Sequence, residues 1–361
     1  MCFIWTSKPL CSGLLEQPHS LAHATLTPRT SMDMRLALRL AVVVVLTVRG
    51  SNAQTMAPTY KSPSKAEELG RAYTALISSL TPKRLKRLAL ERRDQLLKAE
   101  PFPHLVLDGL FPPALLNLIQ AEHPENVLSN GCTSGATKCF KGRSTGVKNK
   151  NVQHLKSVVD SEARMGPALR LMFAFLKSSV WVTFLERLTS TVDLIPDPHY
   201  RGSGLHLTSS GGRLAIHADF NRYQRYDLRR RVNTFIFLND DWPDEHGGHL
   251  ELWNRELTQC KQRVLPSLGR FVVFQTTDFS YHGHPQPLAA PRHRVRRSIA
   301  LYYFTNGCPA EQCINRDCST SHSTLWQKGA CAVCARGNAC AAFSTVDRQS
   351  NVSIVAYDGS A

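Results

Sequence analysis

The chain has 361 residues, 42% of them hydrophobic, which excludes a chain too polar to bury a core and allows one large domain with appendages. With 44 Lys and Arg against 28 Asp and Glu, the formal net charge is +16 at pH 7. That excludes an acidic, self-repelling chain and permits an acidic substrate, a nucleic acid or an anionic surface as partner; the plainer reading is solubility and a basic tail or helix.

Residues 1–53 read as an N-terminal extension ending in a signal peptide. Met32 or Met34 offers a second start. From Met34 a basic stretch with Arg35 and Arg39 precedes the apolar run Leu40 to Val48, and Ser51-Asn-Ala53 supplies small residues at a cleavage site. The run is far shorter than the about 20 apolar residues of a membrane span. A signal-anchor or a chance apolar stretch is the alternative, and no other segment is apolar enough to span. The expected location is the secretory pathway, in the ER lumen or outside the cell, with an organelle or the cytoplasm as the alternative.

Residues 54–100 form a basic helical segment. A Pro/Ser/Lys-rich linker runs to residue 65. Ser64-x-x-Glu67 is a capping box that opens a helix through about Leu80. Thr81-Pro82 opens a second, to about Ala99, with Thr as N-cap and Pro in the first turn. This helix carries Lys83, Arg84, Lys86, Arg87, Arg92, Arg93 and Lys98, with Leu85, Leu88, Leu96 and Leu97 as a partial apolar stripe. A polyanion-binding helix and a solvated face on a helix packed beside the next domain both fit this pattern.

Pro103–Asp108 reads as a strand and Phe111–Ile119 as a helix. Asn130 to Asn151 is irregular and holds Cys132 and Cys139, which could close a small disulfide loop. Ser161 to Ser190 is mainly helical, with Leu169, Met172, Phe173, Leu176, Val180 and Phe184 at three- and four-residue steps and an interruption near Gly166-Pro167. His199 and His206 read as structural or surface residues.

From Gly204 the pattern changes to short strands: Leu205–Ser209, Arg213–His217, Val232–Leu238, His249–Trp253, Arg270–Phe274 and Ser298–Phe304. The expected fold is mainly β with a helical buttress (α+β): a double-stranded β-helix, or jelly roll.

This stretch holds the chemistry. His217-Ala-Asp219 places an imidazole and a carboxylate on one face of a strand, because side chains repeat every two residues. A distant His282 completes the ligand set of a two-His, one-carboxylate facial triad for Fe(II). His284, two residues on, faces the same way and is the alternative ligand. His246, His249 and His293 read as surface residues. Trp242 reads as a core or turn anchor, Gly247-Gly248 as a turn requiring positive φ, and Cys260 as a buried thiol.

In these motifs the chain resembles the Fe(II)- and 2-oxoglutarate-dependent dioxygenases of the prolyl 4-hydroxylase superfamily. The resemblance covers residues 101–307 and is carried by Gly211-Gly212-x-Leu-x-Ile-His217-Ala-Asp219-Phe-Asn221, Leu238-Asn239-Asp-Asp-Trp242, Gly247-Gly248-x-Leu250, His282-Gly-His-Pro285 and Arg296-x-Ser298 before Tyr302-Tyr303. The Leu-Asn-x-Asp-Trp…Gly-Gly-x-Leu part is similar to the hypoxia-sensing prolyl hydroxylases. The resemblance implies Fe(II), 2-oxoglutarate as cosubstrate and ascorbate as reductant. It places the third ligand directly after the aromatic, at His282.

The distal carboxylate of 2-oxoglutarate needs a buried cation, and arginine offers a matching fork. Alignment on the Tyr-Tyr-Phe end puts that role on Arg296. Ser298 shares its face at period two, and Arg297, pointing the other way, is the alternative. Asn233, Tyr281, Thr208 and His284 are candidates to order the ligands or bond the cosubstrate. The implied activity is hydroxylation of an unactivated C–H, on a peptidyl (prolyl) residue, with succinate and CO2 as co-products. The alternatives are the same chemistry on a nucleic acid or small molecule, or a non-catalytic jelly-roll binding module. The expected partner is a protein or peptide substrate. A secretory location would exclude nucleic acid, and the sequence sets no oligomeric state.

Residues 308–361 form a Cys-rich tail with Cys308, Cys313, Cys318, Cys331, Cys334 and Cys340. A small disulfide knot is expected, with a zinc site including Cys331-x-x-Cys334 as the alternative. Clustered cysteines and the Asn351-Val-Ser353 glycosylation sequon both suit an oxidising compartment.

Overall fold

Ser64 caps the first helix of the computed structural model, which describes residues 63–123, 143–144, 152–313 and 316–327. The signal-peptide pattern, the linker up to residue 62, Cys132, Cys139, Cys331, Cys334, Cys340 and Asn351 lie outside the described residues. Helix α1 spans Lys65–Ser79 and is closed by the expected capping box, with Ser64 N donating to Glu67 at 2.6 Å and Glu67 N to Ser64 Oγ at 3.3 Å. Helix α2, Pro82–Leu97, starts where Thr81 Oγ1 accepts from Arg84 N.

Strand β1 (His104–Leu107) and helix α3 (Pro113–Glu122) follow. After β2 (Arg143–Ser144) and β3 (Gln153–Val159) come α4 (Pro167–Leu176) and α5 (Ser179–Thr189). Gly166 starts α4, and the Glu122 carboxylate caps it from another helix, accepting from Ala168 N at 2.7 Å and Leu169 N at 3.0 Å. A Cβ at Gly166 would lie 2.3 Å from that carboxylate, so the cap requires glycine. The expected long helix is thus two, which bend by 51° at Lys177-Ser178. Among the described residues no single helix is long and apolar enough to cross a membrane.

The remaining strands are β4 (Ile195–Pro196), β5 (Gly204–Ala218), β6 (Arg222–Tyr223), β7 (Leu228–Phe237), β8 (Leu250–Trp253), β9 (Cys260–Val264), β10 (Phe271–Gln275), β11 (His282–His284), β12 (Val295–Thr305) and β13 (Leu325–Trp326). Their order is β1-β10-β7-β12-β5-β11-β8-β9, and each of these neighbouring pairs is antiparallel. The sheet curls into a nearly closed antiparallel barrel of jelly-roll type, buttressed by five helices.

Strand β5 turns the barrel's corner. Its first half pairs with β12 and its second with β11, and the two strands read separately from sequence are one. Gly211 at the corner has φ +76°, and a Cβ on Gly212 would lie 2.5 Å from Thr208.

The helices and one face of the sheet share a single core. Trp181 lies at its centre, fully buried against Phe111, Phe184 and Phe271. Its Nε1 donates to Tyr303 Oη at 3.0 Å, and Tyr303 donates to Leu176 O at 2.8 Å, so no polar group there is stranded. Leu76, Leu85 and Leu96 enter the same core, which makes α1 and α2 part of the domain's packing.

The first part of the tail also folds onto the domain. Leu325 and Trp326 add β13 antiparallel to β5, in register with Ala218 and His217. Residues 319–322 are pinned by Arg222 and Arg229, which donate to the Ser319 and Thr320 carbonyls, and by Asn221, which accepts from His322 N at 3.0 Å. Cys308, Cys313 and Cys318 meet at the root of this strap. Two expectations need correction: His249 is buried, not a surface residue, and Cys260 is disulfide-bonded instead of a free thiol, while His206, read as structural or surface, is buried.

Candidate metal and cosubstrate site

The pairing of β11 with β5 sets His282 directly across from His217. His217, Asp219 and His282 are all buried, and their ligand atoms lie within 4.8 Å of one another. His217 Nε2 is 3.6 Å from Asp219 Oδ1, and His282 Nε2 is 3.4 Å from Asp219 Oδ2. Two cis ligands of an octahedral ion with bonds of about 2.1 Å stand ~3 Å apart, so small shifts would close this set around one ion. Both rings are oriented for that purpose. His217 Nδ1 bonds the Ala215 carbonyl at 2.8 Å, and His282 Nδ1 bonds the Ser280 carbonyl at 2.9 Å. A carbonyl only accepts, so each Nδ1 carries the proton and each Nε2 keeps its lone pair for the centre.

Asp219 is held from behind. Asn233 Nδ2 donates to its Oδ2 at 2.7 Å, Arg230 Nη2 stands 3.0 Å from the same oxygen, and Arg230 Nε donates to Asn233 Oδ1 at 2.7 Å. The guanidinium also stacks 3.3 Å over the Tyr302 ring. Burial alone would raise the Asp219 pKa; Arg230 and the two histidines outweigh it and hold the carboxyl well below its ordinary range. Burial lowers His282 to about 4, which keeps it neutral as a ligand must be.

Arg296 enters the cavity beside this centre. It is buried, its Nε donates to Gly248 O at 2.6 Å, and no carboxylate among the described residues pairs with it. Desolvation lowers its pKa to about 9. Gly248 has φ +71°, and a Cβ there would lie 2.9 Å from Arg296 Cδ, so the close approach needs glycine. Arg297 points away, donating to His123 O at 2.5 Å. The cavity has about 470 Å³ including its open mouth. Leu214, Phe235, Phe237 and Leu250 form its apolar wall; Lys156, His206, His284, Arg296, Ser298 and Tyr302 supply polar groups beside His217, Asp219 and His282.

These residues fit the implied groups. Three convergent donors suit a divalent iron, and an unpaired buried guanidinium with Ser298 beside it suits the far carboxylate of a small keto-diacid. Of the other candidates, Asn233 bonds a ligand, and His284 lines the cavity with both ring nitrogens unpartnered. Thr208 is buried beside β12 in register with Arg296. Tyr281 packs instead with Ile216, Ala218, Trp253 and Leu325, off the cavity. Trp242 is a turn anchor, donating to Gly247 O at 3.0 Å.

Sequence periodicity missed Arg230 and Lys156. Period two would pair Arg231 with Asn233, but a bulge in β7 against Tyr303 and Phe304 puts Arg230 there. Lys156 follows Leu155, whose φ is +48°, at an irregularity between β3 and β5. Neither feature has a local sequence signature. Trp326 was also unforeseen: its ring centroid is 4.8 Å from that of His217.

The family model of the 2OG-Fe(II) oxygenase superfamily matches residues 203–304, the span that contains all three donors, Arg296 and Ser298. No curated protein matches the sequence. Among solved structures, similarity is found to a Trichoplax adhaerens prolyl hydroxylase in complex with a hypoxia inducible factor peptide fragment (TM-score 0.41, 14% identity, covering 62% of this chain and 91% of that one). It is also found to a Pseudomonas putida prolyl-4-hydroxylase (0.39, 16%, 60% and 99%) and to a viral collagen prolyl hydroxylase from Paramecium Bursaria Chlorella virus-1 (0.35, 12%, 56% and 96%).

Proposed function

We propose, from a chain whose residues 203–304 carry a 2OG-Fe(II) oxygenase domain, a dioxygenase that hydroxylates an unactivated C–H of a peptidyl residue, prolyl by preference. The observation that carries the oxygenase reading is the convergence of His217, Asp219 and His282 next to an unpaired, buried Arg296. The prolyl preference rests on the Leu238-Asn239-x-Asp-Trp242 and Gly247-Gly248-x-Leu250 motifs.

Bound iron and 2-oxoglutarate would supply the oxidising chemistry, coupling decarboxylation of the cosubstrate to succinate with insertion of oxygen into the C–H bond. His217, Asp219 and His282 would hold the metal on one face and leave the other open. Asn233 and Arg230 restrain the Asp219 carboxylate, so its orientation does not depend on the ligand. Arg296 and Ser298 would seat the far carboxylate. The wall of Leu214, Phe235, Phe237 and Leu250 keeps water from the reacting centre. Ascorbate as reductant and passage through the secretory pathway, from the Leu40–Val48 pattern and the clustered cysteines, belong to the same proposal.

Succinate release by the purified chain with Fe(II), 2-oxoglutarate, O2 and ascorbate tests it, with and without a proline-rich peptide. Slow succinate formation that peptide accelerates and His217→Ala abolishes is the expected result. Iron binding without any succinate would remove the oxygenase reading, and turnover indifferent to peptide would remove the peptidyl one.

A further inference from the structure

Among the described residues, Lys156 is the one cavity cation that neither iron nor cosubstrate accounts for. It projects from β3 into the same cavity as Arg296 and the three donors, and is half-buried. Among the described residues it makes no hydrogen bond or ion pair. The one acid among the described residues that line the cavity is Asp219, whose Oδ2 is already taken by Arg230 and Asn233.

With a divalent iron, one Asp219 carboxylate, a doubly charged keto-diacid and the Arg296 guanidinium the charges sum to zero, so Arg230 and Lys156 each add an uncompensated positive charge. Arg230 is in direct contact with the Asp219 carboxylate and the Tyr302 ring, whereas Lys156 contacts no acid among the described residues. Lys156 remains, and an unpaired cation in an apolar-walled cavity is unfavourable. Burial lowers its pKa only to about 8, since Asp219 opposes the fall while Arg296 and Arg230 add to it; it is still mostly protonated at pH 7. Arg296, His206 and His284 are buried, whereas Lys156 as a whole residue is half-buried and follows the exposed Leu155. It lines the same open cavity that a substrate of the three-donor centre must enter.

We propose that Lys156 binds a carboxylate on the substrate, so that this enzyme selects an acidic peptide: an Asp or Glu side chain next to the residue it hydroxylates. The inference rests on the oxygenase reading above and goes further in naming the substrate's charge. A single ammonium among Phe235, Phe237 and Leu250 suits one carboxylate on a slim chain, and the formal charge of +16 favours approach of acidic partners. A nucleic acid is the competing anion. It would bring several phosphates to a cavity of about 470 Å³ that the cosubstrate must share.

The test is calorimetric binding to the full chain loaded with Fe(II) and 2-oxoglutarate without oxygen. The probes are proline-containing peptides that differ only in Asp or Asn on either side of the proline. The wild-type protein should bind the Asp form about tenfold tighter, the worth of one charge-assisted contact. Lys156→Met and Lys156→Gln should each bring that ratio to ~2 or below, with the thermal midpoint followed to confirm folding. Equal binding of both peptides by the wild type overturns the proposal, and so does a preference that survives both variants. A tenfold rise in the 2-oxoglutarate requirement with the peptide preference intact would assign Lys156 to the cosubstrate. Tighter binding of a single-stranded oligonucleotide than of the Asp peptide would replace the peptide by nucleic acid. Failure of the oxygenase reading is separable, because it shows as absence of succinate, whether or not iron binds.

Discussion

Arg230 and Asp219 form an ion pair of 3.0 Å behind the centre where the three donors meet. Both are buried, and the pair is locked by Asn233, which bonds each of them at 2.7 Å. A carboxylate held this way keeps its orientation without a metal. Asn233→Ala frees one side of Asp219 and should weaken iron binding by about 10–100-fold, the usual effect of losing a group that orients a ligand. Iron affinity measured against a competing chelator checks this; unchanged affinity would make the bond ornamental.

The two neighbouring arginines of β12 should separate cleanly. Arg296→Ala removes the buried cation proposed to pair with the distal carboxylate and should raise the half-saturating 2-oxoglutarate concentration by about 10–100-fold, as expected for a charge-assisted pair. Arg297→Ala breaks contacts to His123 and Asp240 outside the cavity and should lower the thermal midpoint while leaving that concentration nearly unchanged. The reverse pattern would exchange their roles.

His322 gives the tail strap a pH dependence. Burial alone would lower its pKa, but bonds to the Asp278 carboxylate at 2.8 Å and the Ser323 carbonyl outweigh it and raise the pKa above the ordinary 6.5, with Arg229 nearby opposing. A raised folded-state value means the contribution is full below about 6.5 and is lost as pH rises through that value. Amide exchange of His322 and Gln327, compared between wild type and His322→Gln, should differ most below about pH 6.5 and converge as pH rises above the raised folded-state pKa. A constant difference would place the strap's stability elsewhere.

The basic helix α2 should behave as core. Leu85 is buried in the cluster that contains Trp181 and Phe271. Leu85→Ala should lower the unfolding free energy by about 2–5 kcal/mol, in a single transition shared with the barrel. A separate, earlier transition for α1 and α2 would show them to be an independent unit.

Much of this was legible without coordinates because it depends on local periodicity. The capping box at Ser64 and the Thr81-Pro82 N-cap need only three or four consecutive residues, and both helices begin there. Period two put His217 with Asp219, and it separated Arg296 from Arg297, since an extended strand alternates its faces whatever lies around it. The helical span 161–190 was right in kind and in its interruption near Gly166-Pro167, where Glu122 caps α4 from 46 residues away, but the second break, where Ser178 Oγ accepts from Trp181 N to start α5, was not read.

By itself, then, the sequence determined the strand faces, the helix starts and the donor set for a metal. Only the tertiary structure decided which side chains stand behind and beside that set. Arg230 faces Asn233 because β7 bulges against β12, Lys156 reaches the cavity because β3 is irregular against β5, and Trp326 meets His217 because the tail returns as an edge strand. Each depends on pairing between segments distant in the chain. Such pairing is selected by the free energy of the whole barrel, while strand alternation is built into every extended residue.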